Sequence, residues 1–324
     1  MSTPGQGPPP DAPTGTTPDP PVTAPDATAG AGTVRFSVTH RTTYRYDAPV
    51  SLGYSEARLR PRVTNYQRCE RSSVSIAPAV DDRTDWRDFF GNAVTYFSIE
   101  RPHTELEVVA TSLVDVDVDA DPGPGPAWED ARDRVAAAAE PETIDAWQYT
   151  IPSPLVGALE EVADYAAPSF PPGRPLVEAT LDLVTRIHTD FEYDPTATDL
   201  ATPLDEVMHL RRGVCQDFAH VGIAALRSLH LPARYVSGYL ETDPPPGRER
   251  LMGVDQSHAW FSVGVPGFGW VEVDPTNDQL RDQRYVTVGW GRDFSDVSPL
   301  KGVLFSGGSG QQLHVGVDVV RVTT

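Results

Sequence analysis

The sequence predicts an α+β protein, with an antiparallel β-rich region over residues 33–121 and a mixed helical and stranded core over residues 122–324. Three observations carry this. Residues 33–119 hold a succession of short runs rich in β-branched and aromatic residues, separated by turn signals. At Asp121–Pro126 (DPGPGP) the chain breaks and the apolar period becomes helical. After a helical run that starts near Cys215, alternating strand-like segments return around His258 and Asp274.

Residues 1–32 are Pro, Gly, Thr, Ala and Asp with almost nothing large and apolar. Such a segment buries too little surface to offset its ordering entropy, so a disordered Pro-rich tail is expected there. Strands are expected at VRFSVTHRTTYRY (34–46), GYSEARLRP (53–61), SSVSIAPAV (72–80), NAVTYFSIE (92–100) and ELEVVATSLVDVDVD (105–119), with a turn at DFFGN (88–92). The alternation of Asp115, Asp117 and Asp119 places them on one strand face. No EF-hand spacing with its Gly and closing Glu accompanies them, so they read as a solvated face and not as a metal site. Helices are expected at WEDARDRVAAAAE (128–140), PLVGALEEVADYAA (154–167) and PLVEATLDLVTRIHTDF (175–191), with Pro141, Pro168–Pro172 and Pro195 as breakers. The final QQLHVGVDVVRV run reads as a strand.

Composition narrows the function. The formal net charge of −20 over 324 residues disfavours nucleic acid and anionic membrane as partners, since both would repel this surface. Two cysteines give no disulfide framework, and no basic-then-apolar leader opens the chain. A cytoplasmic protein with two free thiols is expected, Cys69 acting as a small buried hydrophobe.

Cys215 follows Gly213 and opens the helical run Gln216–Leu229. A helix N-terminus presents unpaired N–H groups and partial positive charge, which favour a thiolate and can hold an oxyanion. A thiolate nucleophile needs a base. On a helical wheel His220 lies about 140° from Cys215, on the same side as Asp217, and is set aside. His258 is the better base: SHAWFSV places His258, Trp260 and Ser262 on one strand face. PGFG then turns the chain into WVEVD. A hairpin loop of three or five residues puts Asp274 on the His258 face, roughly 5–8 Å away between β-carbons, and a loop of four does not. Further candidates for substrate or oxyanion contacts are Tyr193, Gln216 and Trp260. Arg292, Asp293 and Asp296 form a polar loop that either lines a site or holds itself together by an ion pair.

These motifs resemble the transglutaminase-like superfamily, and within it the bacterial cysteine-peptidase members. RRGVCQDFAH is similar to the nucleophile motif, ARYVSGYL to the following strand, DQSHAWFSV to the histidine motif and GWVEVDPTN to the aspartate motif. HRTTYRYDAPV, LRPR and DFFGN resemble the N-terminal region that accompanies this bacterial core, and GWGRDFSDVSPLKGV resembles its closing segment. The resemblance implies a papain-like core with the nucleophile helix packed on an antiparallel sheet, and a Cys215–His258–Asp274 triad. It implies acyl transfer through a thioester on a peptide or protein substrate, with no cofactor and no metal. Hydrolysis is favoured over amine transfer; a non-catalytic peptide-binding module remains the alternative of a different class.

Overall fold

The computed structural model describes residues 32–118, 120–242, 256–306, 308 and 310–322. The expected tail, apart from Gly32, and Asp119 lie outside the described residues. The chain begins with β1 (Val34–Ala57), β2 (Gln67–Ala77), β3 (Asp82–Arg87), β4 (Ala93–Ile99) and β5 (His103–Val116). It continues with α1 (Trp128–Ala137), α2 (Pro141–Trp147), α3 (Glu160–Ala166), α4 (Leu176–Asp190), β6 (Glu192–Tyr193), α5 (Leu204–Leu210), β7 (Arg212–Gly213) and α6 (Cys215–Ser228). After α6 come β8 (Ala233–Leu240), β9 (Gln256–Val265), β10 (Gly269–Asp274), β11 (Gln279–Leu280) and β12 (Tyr285–Gly291), and the chain closes with α7 (Phe294–Val297), β13 (Leu300–Ser306) and β14 (Gln311–Arg321).

Two antiparallel sheets result. The first is organised on β1, which runs continuously through the two segments expected as separate strands. Its first half lies between β5 and β14, and its second half between β4 and β13. Pro49 falls where the partners change, so its missing N–H interrupts neither ladder. β3, which the sequence does not announce, is an edge strand with all six residues exposed, so it carries no hydrophobic alternation. The short helices α2 and α5 also escaped sequence reading, because seven residues hold too little period. The second sheet has the order β11-β10-β9-β8-β12.

The expected boundary near residue 122 needs correction at the C-terminal end. β13 and β14 do not join the second sheet but pair with β1, which offers them both an open edge and matching apolar residues. Val317 and Val319 bury against Phe36, Val38, Val114 and Val116, and this cluster extends to Tyr239, Val286 and Val288 of the second sheet. The two sheets therefore share a core. A second correction concerns Asp115. It is not a solvated residue but 4% exposed, held by Arg35 at 2.6 Å and Arg68 at 2.7 Å.

The larger core surrounds α6. Every residue of this helix from Gln216 to Arg227 is buried, with α3, α4 and α5 on one side and β8 and β9 on the other. The helix approaches β9 so closely at Gly222 that a β-carbon there would collide with the Phe261 ring. Gly222→Ala is therefore expected to destabilise the protein by about 1–3 kcal/mol despite alanine's better helix propensity, measured by urea unfolding.

Candidate active site

Cys215 is the first residue of α6. The preceding β7 residues pair in parallel with β6, fixing the entry of the chain. Asp217 accepts from the Val214 N–H at 2.8 Å and from Thr198 Oγ1 at 2.7 Å, closing the first turn. This carboxylate lies so close to Gly213 that any side chain there would collide with it, which accounts for the glycine two residues before the cysteine. The N–H of Cys215 itself lies in the first turn, where no helical carbonyl precedes it.

The β9–β10 hairpin meets the loop-length condition. Val265 pairs with Gly269 across a three-residue turn, Pro266–Phe268, and the register runs to Phe261 opposite Val273. Continued by one residue, it sets Asp274 opposite Trp260 and diagonal to His258 on one face. His258 Nε2 and Asp274 Oδ2 are 2.7 Å apart. Nδ1 is then the ring nitrogen not engaged by Asp274, and Cys215 lies near enough to influence the imidazole's protonation. Burial disfavours the imidazolium, but the interactions with Asp274 and Cys215 outweigh it, pushing the pKa of His258 up to about 10.

Asp274 is fully buried yet its pKa is lowered. Burial alone would raise it; the cluster of donors around the carboxylate wins. Besides His258, Tyr285 Oη donates at 2.7 Å and Asn277 Nδ2 at 2.7 Å to Oδ2, while the Thr276 N–H donates at 2.8 Å to Oδ1. Sequence reasoning missed Tyr285 and Asn277. Asn277 had a signal, since Asp-Pro-Thr-Asn is an Asx-type turn that folds back on its own aspartate. Tyr285 had none: it arrives from β12, at the far edge of the sheet.

The other candidates divide. Tyr193 is half exposed, packs edge-on against Phe218 at 6.4 Å, and has its phenol pKa raised by burial and by the neighbouring Cys215. It lies near Cys215. Gln216 is buried as the second residue of α6. Trp260 is corrected from a substrate contact to an internal support. It is wholly buried, stacks on His258 at 6.0 Å and donates Nε1–H to Glu272 Oε2 at 2.7 Å. His220 is not on a polar side but buried with the rest of α6; its Nε2 accepts from the Phe294 N–H at 3.3 Å, and burial lowers its pKa to about 4. Arg292 pairs with Asp296 at 2.9 Å, and Asp293 caps α7 and accepts from the Leu155 N–H, so this loop holds itself in place. Among the described residues no cluster of three or more His, Cys, Asp or Glu could hold a metal ion, and Cys69 and Cys215 are free thiols. No helix among them is long and apolar enough to cross a membrane.

The N-terminal motifs close the back of this hairpin. Arg62 of LRPR donates to Asn92 Oδ1 and to the Phe90 carbonyl in DFFGN, and its guanidinium lies 3.5 Å from the centre of the Trp290 ring. Asn92 in turn exchanges two hydrogen bonds with the Trp290 backbone, and Tyr66 donates to Glu272.

Comparison with known proteins agrees with this architecture. Residues 36–115 match the bacterial transglutaminase-like N-terminal region and residues 165–275 the transglutaminase-like superfamily. An uncharacterised protein of Mycobacterium tuberculosis is 46% identical over 299 residues, covering 90% of this chain and 94% of its own. One of Mycobacterium leprae is 33% identical over 291 residues, covering 89% and 99%. A shorter match, 32% over 102 residues, covers 29% of this chain and 15% of a protein-glutamine gamma-glutamyltransferase of Pseudomonas aeruginosa. A solved structure from Cytophaga hutchinsonii, named provisionally as a cysteine protease, superimposes with TM-score 0.71 at 19% identity, covering 91% of this chain and 92% of that one. The chain belongs to the transglutaminase-like superfamily, in the bacterial form that joins the core to a β-rich N-terminal region.

Proposed function

We propose that the protein is a cysteine acyl-transfer enzyme that hydrolyses peptide or side-chain amide bonds, with Cys215 as nucleophile, His258 as acid–base group and Asp274 as its orienting carboxylate. The observation that carries this reading is the 2.7 Å pair between His258 and the buried Asp274, with Cys215 at the first residue of α6 near enough to raise the imidazole pKa. Cys215 Sγ attacks the carbonyl carbon, and the oxyanion forms beside the Cys215 N–H and the half-exposed Tyr193. The C–N bond breaks as His258 gives its proton to the leaving amine, leaving a thioester. A water then loses a proton to His258 and attacks the thioester; the acid leaves and the thiol is restored. The substrate is a peptide or protein.

Mass spectrometry of a glutamine-containing peptide, with and without a primary amine, tests the acceptor. Hydrolysis predicts cleaved or deamidated product unchanged by the amine, whereas an amine adduct would establish transamidation, the reading that the match to the Pseudomonas aeruginosa transferase favours. Iodoacetamide tests the nucleophile: Cys215 is expected to react much faster at neutral pH than Cys69, whose thiol burial pushes toward higher pKa. Equal rates would remove the catalytic reading. The pH profile follows from His258. Because its pKa is raised, the proton needed by the leaving amine is present at neutral pH and is lost only as pH rises toward about 10. The alkaline limb of kcat/KM is therefore expected well above the 6.5 of an ordinary histidine.

A further inference from the structure

A cavity of 760 Å³ opens behind the hairpin; neither Cys215 nor His258 lines it. Its floor is Arg234 on β8, 5% exposed. The guanidinium is sandwiched between Trp290 at 3.7 Å and Trp270 at 4.2 Å, and Nε donates to Ser262 Oγ at 2.9 Å. Among the described residues no acceptor meets either Nη group, which leaves both for the cavity that Arg234 lines. A buried guanidinium ordinarily has a carboxylate partner. Glu272, the carboxylate with the largest electrostatic effect on Arg234, is already committed to Trp260, Tyr66 and Arg281. Arg281 also lines the cavity, and Arg62 lies behind Trp290. Above it Phe268, Val271 and Leu280 give apolar walls, while Asp121, Asp145 and Asp282 stand among the lining residues.

We propose that this cavity binds a small carboxylate with an apolar or aromatic body, its two oxygens taken by the free Nη edge of Arg234. A planar guanidinium pairs bidentately with a planar carboxylate. The aromatic sandwich holds the guanidinium plane, so binding requires little reordering of the side chain. The acidic residues in the lining disfavour polyanions, and the apolar walls require a ligand body without charge.

Benzoate is the probe, benzamide its neutral isostere, and inorganic phosphate the competing anion, each titrated by calorimetry into the full chain. Benzoate is expected to bind at least about tenfold more tightly than benzamide, since only it supplies the charge-assisted pair. Arg234→Gln is expected to abolish the preference. Should that variant fold poorly, Leu280→Trp decides, because Leu280 is 37% exposed and a larger ring there fills the cavity from outside. No benzoate binding to the folded wild-type chain, equal binding of benzamide, tighter binding of phosphate, or benzoate binding unchanged by Leu280→Trp would each overturn the proposal.

Discussion

Cys215→Ala is expected to reduce amide hydrolysis by about four to six orders of magnitude, leaving only the rate that binding and oxyanion contacts supply. The fold should survive the change. Cys215 is partly buried at the first turn of α6, and that turn is held by Asp217 and Thr198, not by the thiol. The urea midpoint is therefore expected to move little while kcat collapses. A variant that kept more than about one hundredth of the activity would place the nucleophile elsewhere, because loss of a covalent route leaves no comparable path.

Asp274→Ala should damage both activity and stability. The carboxylate accepts from His258, Tyr285, Asn277 and the Thr276 N–H at zero exposure. Its removal leaves these donors buried without an acceptor, at a cost of about 3–5 kcal/mol. The activity loss, roughly 10³–10⁴-fold, arises because the imidazole no longer has a fixed tautomer and orientation. Two readouts separate these effects. The unfolding midpoint reports the lost network, and the alkaline limb of kcat/KM should fall toward the ordinary histidine value because the charge holding the proton on His258 is gone. A lower midpoint with an unmoved limb would mean that Asp274 is structural only.

The sequence shows most clearly what is local. The helix start at Cys215, the two-residue period through His258 and Trp260, and the PGF turn are all consequences of adjacent residues, and the hairpin register follows from them. What could not be read depends on elements far apart in the chain. Tyr285 reaches Asp274 from the opposite edge of the sheet. Trp260 looked like a face-sharing candidate contact, yet Val236, Tyr285 and Trp290 pack around it and leave it wholly buried. The buried side of α6 that carries His220 was misread for the same reason: a helix enclosed on all sides gives no clean polar stripe.

The double partnership of β1 has a consequence for biosynthesis. β1 is synthesised well before its outer partner β14, which follows the whole Cys215–Asp274 segment. During translation one edge of Phe36–Tyr46 therefore stays unsatisfied until some 265 further residues have been joined, a span that takes about 15–50 s at bacterial elongation rates. An open edge of alternating apolar residues is a template for pairing with other nascent chains. C-terminal truncations that remove β13 and β14 would make that interval permanent, so their expected fate is aggregation and not the release of an independently folded catalytic core.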